Sequence, residues 1–169
     1  MTTDLQEFIK NTNKIIVDTN LFLLYLGGLH NLEIVEKLKS TKNFFKEDFE
    51  TLHNILDNYK QITTTPHILT EFGNLNKDKL SKNNYYRKEL FRVLQLLLKT
   101  KRLDEKFITI SELVVDSQFK RLGVADTAIG KLSKEKSYGV ITTDLDLYLH
   151  LEKNNIECFN FTNLTLLSH

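Results

Sequence analysis

Residues 14–18 read KIIVD, and the fold turns on them. Three consecutive β-branched apolar residues closed by a carboxylate read as a short strand covered on both faces, the pattern of a parallel sheet. A parallel strand reaches its neighbour only through a crossover, usually helical. The next residues supply one, because 21–26 (LFLLYL) is helical in character and very apolar, with a break expected at Gly27-Gly28.

Working outward, the same alternation repeats. Helical patterns lie near 32–39 and 48–59, and 61–65 (QITTT) reads as a second strand. Pro66 suits the first position of a helix running to about Leu75, with Thr65 as its N-cap. A longer helix over roughly 83–102 carries Leu90, Val93, Leu94, Leu97 and Leu98 at helical spacing. A short strand is expected at 107–110, helices at 111–121 and 125–136, a strand at 138–142, a helix at 144–154 and a last strand at 156–159. Within 144–151, DLDLYLHL alternates with period two, which alone argues strand; the strands close on either side demand a crossover, so it reads as helix. Strands alternating with helices imply an α/β fold with a mainly parallel sheet covered on both faces.

Bulk properties agree. The chain has 169 residues, enough for one domain with a sizeable core, and 41% hydrophobic with 27% charged residues is globular composition. No apolar run approaches the roughly 18–20 residues a membrane helix needs, and the first 13 residues are polar, without the plan of a signal peptide. Cys158 is the single cysteine, which fits a reducing cytoplasm. Net charge is only +1, but residues 77–102 carry +7 and the remainder −6. Such a split suits an acidic centre beside a cationic rim, in which Lys82, Arg87, Lys88 and Arg92 are candidate contacts to a nucleic-acid backbone. A solvated helix carrying lysines for solubility gives the same count. Tyr85 and Tyr86, inside that segment, are candidates for stacking on bases, although packing is the commoner fate of tyrosine.

Sites in parallel sheets open at the carboxyl ends of the strands. Asp18 ends the first strand, Asp144 and Asp146 follow the strand YGVITT, Glu71 lies in the helix leaving the second strand, and Asp126 opens a helix after Leu122-Gly123-Val124. Ile68, Glu71, Phe72 and Leu75 share a helical stripe, which places Glu71 among apolar residues. Each acid also has a bland role open to it: Asp18 and Asp144 as helix caps, Asp126 and Asp146 as first-turn acids. Together they ask for compensation, since two unit charges about 4 Å apart repel by roughly 4 kcal/mol at an effective dielectric near 20. A hard divalent cation, Mg²⁺ or Mn²⁺, is the compensator that suits several carboxylates. Metal-assisted phosphodiester hydrolysis is the chemistry such a site performs.

IIVDTNLFLLY, TTPHILTEF, LGVADTAI and VITTDLDL, in that order and spanning about residues 14–161, resemble the PIN domain nuclease family. The resemblance implies a three-layer α/β/α domain over 1–169 with strand order 3-2-1-4-5. It implies metal-binding carboxylates at Asp18, Glu71, Asp126 and Asp144, with Asp146 matching a fifth acid of some members. Asn20 and Thr142 match polar positions that orient the acids or substrate. The implied substrate is RNA. Many small members are VapC-class toxins held inactive by an antitoxin, and homodimers are common among them. This chain departs from the small toxins in its helical additions around 31–59 and 77–102 and in its polar start. Three other readings compete: a non-catalytic PIN-like scaffold binding RNA or protein, a DNA-directed nuclease, and a haloacid-dehalogenase-like phosphatase. The last wants Asp-x-Asp where this chain has Asp18-Thr19-Asn20.

Overall fold

The computed structural model describes residues 3–37, 41, 43–75, 85–136 and 138–165. In chain order its elements are α1 (Thr3–Asn11), β1 (Ile15–Val17), α2 (Thr19–His30), α3 (Leu32–Lys37), α4 (Lys46–Leu56), β2 (Ile62–Thr64) and α5 (Pro66–Leu75). There follow α6 (Tyr85–Lys99), β3 (Leu103–Glu105), α7 (Ile110–Leu113), α8 (Phe119–Lys136), β4 (Gly139–Thr142), α9 (Leu145–Lys153), β5 (Cys158–Asn160) and α10 (Thr162–Thr165). The five strands pair in parallel in the order β3-β2-β1-β4-β5.

That order follows from where apolar surface must go. β1 is central, and Ile15, Ile16 and Val17 are buried on both faces, as are Val140 and Ile141 of its neighbour β4. The chain moves outward from β1 through β2 to β3, then crosses back to β4 and β5 on the other side. Parallel crossovers keep one hand, so reversing direction moves the connecting helices to the opposite face. Helix α2 packs against α3, α4, α5 and α6, whereas α8 and α9 pack on each other and on β4. Between β1 and β4 the strand order reverses, and the carboxyl ends of those two strands form the crevice where open α/β sheets bind ligands.

Several expectations need correction. The expected break at Gly27-Gly28 does not occur, because α2 runs through both glycines to His30. Gly28 serves packing instead: a Cβ there would run into the Phe49 ring of α4. The polar start contains α1, which turns Leu5 and Phe8 inward, with the Phe8 ring 5.8 Å from that of Phe159. The third strand is Leu103–Glu105, not 107–110. Its place is set by the β2 edge, where Ile62 N–H donates to Arg102 O at 2.9 Å and Lys106 N–H to Thr64 O at 2.8 Å. Phe107 is left 78% exposed, and Ile108 instead packs with Leu113 and Ala128 in a small second cluster.

The helix expected at 111–121 is likewise interrupted. Thr109 and Glu112 form a reciprocal capping box that starts α7, which ends at Leu113. An Asp116 turn separates it from α8, Asp116 Oδ1 accepting the Gln118 N–H at 2.8 Å. The helix reading of DLDLYLHL holds. Leu147 and Leu151, one helical turn apart, are buried, while Leu145 and Leu149 are exposed. Among the described residues no helix is long and apolar enough to cross a membrane.

Candidate active site

Asp18 leaves β1 and caps α2. Its Oδ1 accepts the Leu21 N–H at 2.8 Å, and its Oδ2 accepts the Thr142 hydroxyl at 2.6 Å and the Thr143 N–H at 2.7 Å. Both donors on Oδ2 come from the end of β4, so one carboxylate ties the two central strands together at their carboxyl ends. Asp18 is only 4% exposed. Burial raises its pKa most, the Thr142, Leu21 and Thr143 donors pull it back, and the nearby Asp144 charge pushes it up again; the net direction is upward.

Asp144 caps α9 in the same manner, Oδ1 accepting the Leu147 N–H at 2.8 Å. The Thr142 hydroxyl donates to Asp18 and accepts the Asp144 N–H at 2.9 Å, and so fixes the two caps relative to one another. Thr142 thus has the orienting geometry expected of it. Asn20 stands exposed in the first turn of α2.

Glu71 and Asp126 come from outside the sheet. The Thr19 hydroxyl donates to Glu71 Oε2 at 2.6 Å, joining α5 to the residue next to Asp18. Glu71 was expected inside an apolar stripe; it is exposed, while Ile68 and Phe72 beside it are buried. The helix turns Glu71 to the rim because its spacing puts it at the edge of the stripe, not at the centre. Asp126 lies just past a break in α8, where Gly123 takes φ 81° and ψ −174°. That region is open essentially to glycine alone, and it lets the chain re-enter a helix in a new direction, with the Thr127 hydroxyl donating to Gly123 O at 2.5 Å. Glu71 and Asp126 line one cleft of about 400 Å³ with His67, Thr70 and Leu122. His67 is occupied structurally, its Nε2 standing 3.0 Å from Ile108 O.

The convergence is electrostatic as well as topological. Asp126 has its pKa pushed up to about 7, first by burial and then by the charges of Asp144, Asp18 and Glu71. The other three carboxylates expected at the centre therefore all bear on this one side chain. Asp146 does not join them. Its side chain is 78% exposed and pairs with Arg121 Nη1 at 3.4 Å.

Among the described residues, no three Asp, Glu, His or Cys side chains form a group ready to hold a metal ion. Asp18, Asp144 and Glu71 each accept a donor from the protein. The donor chemistry nonetheless suits a hard divalent cation, being carboxylate oxygen throughout.

The basic segment lies elsewhere. Lys82 falls outside the described residues. Arg87 lies over the Phe91 ring at 5.7 Å, Arg92 pairs with Glu89, and Lys88 is exposed beside them on α6. Tyr86 packs against the core and Tyr85 is 56% exposed. Sequence reasoning overlooked Thr19, Thr143 and Gly123. The first two were legible as threonines adjoining a capping aspartate, and the third as a glycine three residues before an expected first-turn acid. Compared with known protein families, curated proteins and solved structures, the chain gives no match in any of the three.

Proposed function

We propose that the chain is a PIN-type, metal-dependent ribonuclease whose site is Asp18, Glu71, Asp126 and Asp144. The observation that carries the reading is the setting of Asp126: burial first, and then the charges of three carboxylates from distant parts of the sequence, raise its pKa beside the strand-order reversal. Protein stability does not call for such an arrangement, because like charges brought together in a partly buried cleft oppose folding.

Asp126 and Glu71 would hold a Mg²⁺ or Mn²⁺ ion together with Asp144 and Asp18. When bound, the ion neutralises charge on the phosphodiester and lowers the pKa of water toward neutrality. The chain supplies position. Asp18 is immobilised by its donors from α2 and β4, Thr142 fixes Asp144 against it, and Thr19 steadies Glu71. Hydrolysis adds water across one P–O bond, leaving a phosphate monoester and a hydroxyl. A cytoplasmic setting accords with the lone Cys158, whose thiol burial pushes up to about 12. An antitoxin and a second copy of the chain are the partners this reading carries.

One observation favours a second reading. Both Asp18 oxygens are engaged by the protein, which suits a non-catalytic scaffold of the same fold. Asp126→Asn separates the two, since Asp126 makes no cap and its loss leaves the β1–β4 tie intact. Cleavage of single-stranded RNA in Mn²⁺ should fall about a hundredfold or more, with an unchanged circular dichroism spectrum. Undiminished cleavage removes the proposed site, and no metal-dependent cleavage by the unaltered chain supports the scaffold. Matched single-stranded DNA in the same assay distinguishes the DNA-directed alternative.

A further inference from the structure

A second, larger cleft of about 750 Å³ opens between α8 and α9. Its cations are Arg121, Lys131 and Lys134 of α8 and Lys153 of α9, with His150 among them. Two are paired, Arg121 to Asp146 at 3.4 Å and Lys131 to Glu135 at 3.4 Å. Lys134 and Lys153 make no ion pair among the described residues. The same walls carry Asp116, Glu135 and Asp146, which leaves the lining with a formal charge of +1 when His150 is neutral.

The two clefts adjoin. Arg121 lines the basic one and Leu122 the acidic one, on either side of a single peptide bond just before the Gly123 break. Asp146, at the mouth of the basic cleft, is two residues beyond Asp144. From Asp146 to Lys153 the cleft follows α9 for roughly 10 Å at 1.5 Å per residue. We infer that this α8–α9 cleft binds the sugar–phosphate backbone of a single-stranded nucleic acid and leads the strand to the acidic site.

Geometry selects that ligand over others. Cations spread along an open trough match a repeating anion, whereas a lone phosphate is held by donors closing on one point. Among the described residues no Phe, Tyr or Trp lines the trough and His150 is its one aromatic ring, so contacts to the backbone dominate over stacking and recognition depends little on sequence. On α6, Arg92 pairs with Glu89 and Arg87 lies over Phe91, which leaves Lys88 as the exposed cation of that group.

The inference rests on the nuclease reading, and its test keeps the two apart. Binding of a fluorescent single-stranded RNA is titrated over a range of salt, without metal, on Asp126→Asn protein so that no strand is cut. Adding Lys134→Ala and Lys153→Ala, both exposed and unpaired, should make the log–log salt slope shallower by about 1.4, since each phosphate contact on a single strand contributes about 0.7. Arg87→Ala, Lys88→Ala and Arg92→Ala together should leave the slope unchanged. An unaltered slope in the α8–α9 variant, or a loss confined to the α6 variant, overturns the track while metal-dependent cleavage by the unaltered chain keeps the nuclease reading. Failure of the Asp126→Asn protein to bind RNA, with no cleavage by the unaltered chain, removes both.

Discussion

Asp18 and Asp126 face the same problem and solve it differently. Burial raises the pKa of each. At the β1–β4 junction, donors from Leu21, Thr142 and Thr143 offset part of the cost of burying the Asp18 charge, and this half of the site is a structural tie. At the α5–α8 cleft the surroundings of Asp126 are three more carboxylates. Charge that the protein compensates is architecture. Charge that it aggravates is what the proposed cation would offset.

The largest effect should come from breaking the tie. Asp18→Ala leaves two buried donors, on Leu21 and Thr142, and the half-buried Thr143 N–H without an acceptor, and should destabilise the fold by about 4 kcal/mol in denaturant unfolding. Full stability in that variant would show that the tie does not hold the strands.

Asp126→Asn should act in the opposite direction. An acid with a raised folded pKa binds more protons folded than unfolded between about 4 and 7, so its contribution to stability falls as pH rises through that window and levels off above it. Removing the charge should flatten this slope and stabilise the metal-free protein at pH 8 by on the order of 2 kcal/mol, discounted for the group's partial exposure. Mn²⁺ should raise Tm in the unaltered chain and much less in the variant. A pH profile identical in the two proteins would dissolve the contrast.

Thr142→Val removes the hydroxyl shared by the two caps and should cost about 1 to 2 kcal/mol. Restoration by Thr142→Ser would assign the loss to the hydroxyl and not to packing. The smallest effect belongs to Asp146→Asn, which breaks only an exposed pair with Arg121 and should shift stability by less than about 0.5 kcal/mol. It should also leave the metal-linked rise in Tm in place; loss of that rise would return Asp146 to the central group.

Much of this arrangement was legible before folding. KIIVD, QITTT and YGVITT are strands because β-branched runs this short and this apolar suit burial on both faces of a sheet. DLDLYLHL shows how far such reasoning reaches: its period argued strand, and the need for a crossover decided helix. The third strand shows where it fails. FITI has the better β composition, but LDE is where the β2 edge offers hydrogen bonds, and an edge strand takes its position from its neighbour.

The amino-acid sequence by itself determined the parallel α/β class and brought Asp18 and Asp144 each to the carboxyl end of its own strand, because strand and turn chemistry are local. Only the tertiary structure decided which acids matter to one another. It set Glu71 on the rim, turned Asp146 to Arg121, used Gly123 to redirect Asp126, and opened a basic cleft beside an acidic one. Side-chain direction and long-range charge depend on elements tens of residues apart, and no local pattern carries that information.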